Sequence, residues 1–108
     1  MNQESKASMK FYYKDGTSSD EYHYSKQLHR IDGPAAEYGS GTKLWYVDGK
    51  RHRLDGPAEE WASGGRYWWI DEVEYSEGEF NKFIQEVKEL PLALRLIDPR
   101  EWVRNYER

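Results

Sequence analysis

The residues able to do chemistry come in matched pairs. His29 stands three positions before Asp32, and His52 three positions before Asp55. Two imidazoles with two carboxylates could ligate a metal or share a proton in acid–base work. Arg30 and Arg53 follow the two histidines, and a guanidinium is suited to gripping phosphate with two parallel hydrogen bonds. Glu37, Glu59 and Glu60 add carboxylates of the kind a glycosidase sets on either side of a bond. Against each of these stands a plainer reading. A residue that recurs at one point of a repeated unit is there to build the unit. With three histidines and no cysteine, a metal site would also be atypical. No phosphate-cradling glycine loop, nucleophile elbow or paired-histidine metalloprotease motif occurs. The chain therefore reads as no enzyme, with no catalytic residue, no metal and no cofactor. His29, Asp32, Gly33, His52, Asp55 and Gly56 are assigned to structure.

The pairs belong to an internal repeat. Residues 28–49 read LHRIDGPAAEYGSGTKLWYVDG, and residues 51–72 read RHRLDGPAEEWASGGRYWWIDE, at a constant offset of 23. A degenerate copy, Phe11-Tyr12-Tyr13-Lys14-Asp15-Gly16, has the form of residues 44–49 at an offset of 33. The longer offset implies an insertion around Thr17 to Tyr24. Asp-Gly pairs at 15–16, 32–33, 48–49 and 55–56 predict tight hairpin turns that need positive φ. Runs rich in aromatic and β-branched residues at 11–13, 21–24, 35–38, 44–47, 58–61 and 67–70 predict strands. Gly39-Ser40-Gly41 and Ser63-Gly64-Gly65 join the members of each hairpin, giving an antiparallel meander.

The third copy breaks off at Tyr75. Ser76 and Glu79 form a capping box, and Phe80, Phe83, Ile84 and Val87 fall on one stripe of a helix. Pro91 marks its end. Residues 92–97 predict a short helical turn, and Asp98-Pro99 starts a last helix carrying Trp102, Val103 and Tyr106. The fold class is α+β: a β-meander of hairpin repeats followed by two or three capping helices. As one domain, residues 1–10 form a flexible N-terminus, 11–75 the sheet, and 76–108 a helical cap over its open end.

Composition bounds the rest. The 108 residues are 33% charged and 37% hydrophobic, a polar balance offset by five Trp and nine Tyr, each large enough to carry a core. A net charge of −4 makes direct nucleic-acid binding unexpected. The absence of cysteine suits a reducing compartment. The polar first ten residues lack the run of a signal peptide, and no apolar stretch reaches membrane-spanning length. A cytoplasmic location without membrane contact is expected.

The run Trp45-Tyr46-Val47-Asp48-Gly49-Lys50-Arg51-His52, with Gly56, Gly64 and Tyr67 beyond it, resembles the MORN repeat. Where that repeat has His-Gly-x-Gly, this chain has His-Arg-x-Asp-Gly-Pro-Ala in both copies. It looks like the MORN-like variant found in short bacterial and phage proteins, over residues 11–75. The resemblance implies a scaffold for protein or lipid contacts with no chemistry of its own.

Strand alternation sets Trp45, Val47, Trp68 and Ile70 on one face, and Leu44, Tyr46, Tyr67 and Trp69 on the other. One face meets the helices. The other is either buried by a curled sheet or an aromatic surface of the kind that supplies binding hot spots. Asp71, Glu72, Glu74, Glu77 and Glu79 add an acidic stretch able to steer a basic partner. The first expectation is a non-enzymatic protein-binding module. Its setting would be a phage or mobile-element accessory protein in the bacterial cytoplasm, acting as an anti-defence (anti-CRISPR-like) inhibitor or host-interaction factor. Its contact residues are Trp45, Tyr46, Trp61, Tyr67, Trp68, Trp69, Asp71, Glu72 and Glu74. The alternative is a nucleotide or sugar binder in which aromatics stack and Arg30 or Arg53 holds phosphate. A third reading is a subunit that self-associates through an open sheet edge.

Overall fold

The structure, a computed structural model, describes residues 9–90. The expected turn over 92–97, the helix from Asp98 and most of the N-terminal ten residues lie outside the described residues.

Among the described residues nine strands precede one helix: β1 (Lys10–Tyr12), β2 (Ser18–Ser19), β3 (Ala36–Glu37), β4 (Lys43–Leu44), β5 (Tyr46–Val47), β6 (Lys50–Arg51), β7 (Glu59–Glu60), β8 (Arg66–Ile70), β9 (Val73–Tyr75) and α1 (Glu77–Lys88). Seven form an antiparallel sheet in the order β2-β1-β3-β4-β7-β8-β9, while β5 and β6 form a separate hairpin. The fold is thus α+β, mostly antiparallel sheet. One helix stands among the described residues, against the two or three expected. The expected strand over 21–24 is absent: β2 sits earlier, and residues 20–27 form an irregular loop. That loop is pinned by the buried Tyr13, whose hydroxyl donates to the Glu21 carbonyl (3.0 Å) and accepts from the His23 amide (2.9 Å). The aromatic run Tyr22-His23-Tyr24 supplies ring contacts instead of ladder bonds.

The four Asp-Gly pairs divide into three kinds. Asp48 and Gly49 both take positive φ (54° and 78°), as a two-residue hairpin matching the strand twist requires. At Asp15-Gly16 only the glycine does, at 90°. Gly33 and Gly56 have no positive φ, so the expectation of hairpin turns there is corrected. These two glycines make room. A Cβ at Gly56 would lie 2.9 Å from Arg53 Cζ, and one at Gly33 3.0 Å from Arg30 Cζ.

Register assigns the faces, because directly paired residues share one. Phe11, Ala36, Leu44, Glu59 and Tyr67 form a single row across five strands. The neighbouring row, on the opposite face, is Lys10, Glu37, Lys43, Glu60 and Arg66. Its charges alternate in sign at every strand, the arrangement that favours this register over a slip by one residue.

Two small cores result, one on each face. Phe11, Tyr13 and Ala36 are buried on the first, with Met9, Leu28, Tyr38 and Leu44 packed around them. Ile70, Tyr75, Phe80 and Phe83 are buried on the second, under α1, with Leu54, Trp68, Val73, Ile84 and Val87 against them. Helix α1 starts where its box closes: the Ser76 side chain accepts from the Glu79 amide, and Glu79 accepts from the Ser76 amide. No helix of the described residues is long and apolar enough to cross a membrane.

Candidate partner-binding face

The repeated His-Arg-x-Asp-Gly-Pro segment folds the same way twice. In each copy the arginine turns back beneath its own loop. Arg53 Nε donates to Asp55 (2.8 Å), and its NH1 donates to the Pro57 carbonyl and Glu60 (3.0 Å each). Arg30 makes the equivalent contacts with Asp32 (3.2 Å), the Pro34 carbonyl (3.2 Å) and Glu37 (3.4 Å). The guanidinium groups lie over rings from earlier in the chain, Arg30 over Tyr12 at 4.0 Å and Arg53 over Trp45 at 3.8 Å. Each histidine ties its loop to a hairpin: His29 Nδ1 accepts from the Asp48 amide (2.9 Å) and His52 Nδ1 from the Asp71 amide (3.1 Å). Backbone bonds recur at the same offset of 23, Arg30 to the Tyr46 carbonyl and Arg53 to that of Trp69. Both arginines are thus engaged by two carboxylates, a carbonyl and a ring, so phosphate would have to displace contacts already made. Among the described residues no group of three or more His, Asp or Glu could hold a metal ion.

The expected contact residues separate by face. Tyr67 and Trp69 alternate on β8 and share the first face with Glu74, which pairs with Trp69 across β9. Trp61, two residues beyond Glu59, and Tyr46, two beyond Leu44, extend it. Trp45 and Trp68 lie on the opposite face, Trp45 beneath Arg53 and Trp68 against the α1 core. Asp71 is buried in the β8–β9 turn with Lys50 Nζ 3.9 Å away. Glu72, the next residue, is exposed.

The first face carries a preset constellation. Trp61 and Tyr67 are 41% and 44% exposed, and Trp61 Nε1 donates to Glu59 (3.1 Å). Arg51 lies over the Trp69 ring at 3.5 Å. It donates to Glu59 (3.4 Å) and, through Nε (3.0 Å) and NH2, to Glu72. The Arg51 amide donates to the other Glu72 oxygen at 2.8 Å. These bonds hold the Glu72 carboxyl below its ordinary value and raise the Arg51 guanidinium further. Burial pushes the nearby Tyr46 phenol up. Glu72 adopts φ 70°, where a non-glycine residue costs about 1–2 kcal/mol. The position matches Gly49 at the offset of 23, so the side chain is kept despite that cost, clamped to β6.

The sequence reading missed Arg51, Glu59 and Tyr22 as members of this face. Tyr22 is 48% exposed and meets Phe11 edge to face at 5.7 Å. Arg51 and Glu59 were visible only as one residue of the repeated run 45–52 and one of several carboxylates; their partnership depends on the β5–β6 hairpin folding against β7. Comparison with protein-family models, curated proteins and solved structures finds no match.

Proposed function

We propose that this chain is a non-enzymatic protein-binding module whose docking surface is the aromatic and acidic sheet face centred on Trp61, Tyr67 and Trp69. One observation carries the reading. Two large aromatic side chains stand more than 40% exposed beside a fixed Arg51–Glu59–Glu72 cluster, on the face opposite α1. Trp61 is held before binding by its bond to Glu59, and an aromatic group held in advance loses little entropy on contact. Glu72 and Glu74 at the edge favour a partner with Lys or Arg at its rim. The setting as a phage or mobile-element inhibitor or host-interaction factor rests on the MORN-like resemblance alone.

Self-assembly through a sheet edge has little support. Among the described residues the outermost strands, β2 and β9, are two and three residues long, and short edges are poor templates for a further strand.

A tagged pull-down from a lysate of the source cell, with mass spectrometry of proteins and small molecules, tests the proposal. A stoichiometric protein partner is expected with the parent chain and not with the Trp61→Ala, Tyr67→Ala double variant. A co-purifying nucleotide or sugar and no protein would overturn it.

A further inference from the structure

The sheet is built from short ladders: β3 pairs with β4, β4 with β7 and β7 with β8 over two residues each. Lys43 and Leu44 of β4 have a strand on either side. On one, Leu44 accepts from the Ala35 amide (2.8 Å); on the other, the Trp45 amide donates to the Ala58 carbonyl at the start of β7 (2.8 Å). At the offset of 23 these two residues become Arg66 and Tyr67. There β7 fills the inner side alone. β9 reaches only Trp68 to Ile70, and α1 follows it where a third copy would place its next strand. The core under α1 takes in Trp68 and Ile70 but neither Arg66 nor Tyr67, and both of these are exposed.

Ladder alternation fixes which backbone groups this leaves over. The Trp61 amide donates to the Gly65 carbonyl (2.9 Å), so residues 65 and 67 bond to β7 and residue 66 turns its amide and carbonyl the other way. Lys43 does the same towards Glu60 of β7. Among the described residues no strand faces the outward groups of Arg66.

The side chains say what fits. The row Lys10, Glu37, Lys43, Glu60 and Arg66 alternates in sign at each strand, so the next place in it favours a carboxylate. A second copy's own edge offers Gly64, Gly65, Arg66 and Tyr67, with no carboxylate among them.

We propose that the open edge of β8 at Arg66–Tyr67 takes an extended segment of a partner protein as an antiparallel strand, with an Asp or Glu of that segment opposite Arg66. An edge this short holds no strand by backbone bonds alone, so the carboxylate makes the site selective. The inference stands without the aromatic face, because the Arg66 side chain lies on the opposite one.

The test is an amide NMR titration of the full chain with a peptide copying residues 55–62, which contains the strand that fills the equivalent edge over Lys43 and Leu44. Saturable shifts are expected at the amides of residues 64–68, with slower exchange at the Arg66 amide as it gains an acceptor. Glu60→Lys in the peptide should weaken binding by about tenfold, and an Arg66→Glu chain should prefer the lysine peptide by a similar factor. A general change in fold would not produce that exchange of preference. Arg66→Glu also faces Glu60 of β7, so Arg66→Gln serves as a second variant, expected to melt with the parent and to distinguish the two peptides no longer. No shift at Arg66 up to millimolar peptide, equal binding of both peptides to the parent, or shifts confined to Arg51 and Trp69 would overturn the proposal. So would concentration-dependent shifts at Arg66 without peptide, which mark a second copy at the edge.

Discussion

The arginine loop depends on one absent atom. Arg53 reaches Asp55, Pro57 and Glu60 across a position with no side chain, where a Cβ would lie 2.9 Å from its Cζ and shift the guanidinium. Gly56→Ala is expected to lose about 1–3 kcal/mol, the range for breaking a partly buried charged network. Arg53→Ala should cost a similar amount, and the double variant little more than either single one, because both remove the same contacts; urea denaturation of the three checks this. Glu72 tests backbone strain against charge. Glu72→Gln keeps the positive φ and loses the carboxylate, whereas Glu72→Gly relieves the φ, so the glycine variant should be the more stable by about 1 kcal/mol. Arg51 depresses the Glu72 carboxyl in the folded chain. The stability this contributes is present above the ordinary carboxylate value of 4.5 and is lost as pH falls through the lowered one. Thermal melts between pH 6 and pH 3 should therefore fall less steeply for Glu72→Gln. Asp15, which accepts from the Thr17 hydroxyl and amide, should titrate at about 2 by carbon-detected NMR.

Among the elements, α1 was the most legible. Its capping box, its apolar stripe and its acidic first turn are all local signals, and each lands on the residue that the sequence names. Ser76→Ala should remove about 1 kcal/mol, and Phe83→Ala about 3–5 kcal/mol through the cavity left under β8; both are measurable by chemical denaturation. The strand over 21–24 was misread because Tyr22-His23-Tyr24 has β-forming residue types. Its rings are used on Phe11 and Tyr13, a tertiary use that propensity cannot anticipate. Asp32-Gly33 and Asp55-Gly56 were misread for a related reason. Asp-Gly usually signals a turn, but here the glycine serves an arginine three residues earlier. The recurrence of His-Arg-x-Asp-Gly-Pro was plain. What the arginine touches was not, since Tyr12 and Trp45 lie well before it in the chain, in β1 and between β4 and β5.

For the whole molecule, the two cores lie on opposite faces and share little beyond the sheet. Replacement of Phe11 by Ala should therefore raise amide exchange chiefly in β1, β3 and the 20–27 loop, while Phe83→Ala should raise it in α1 and β9. Equal loss of protection throughout both ends would count against that division. The alternation of faces was readable from the period-two pattern of β8, and the assignment of α1 to the Trp68 face needed the packing. Consider, last, what the arginine stack permits. The Arg30 loop closes on Tyr12, the Arg53 loop on Trp45, and α1 packs against Trp68, so that in this chain α1 supplies the ending. A tandem duplication of residues 30–52 would meet compatible neighbours on both sides, so length here is adjustable in steps of 23 residues without redesign of either end. Proteins built this way can lengthen by copying, and each added step would bring one more arginine closing on the ring before it.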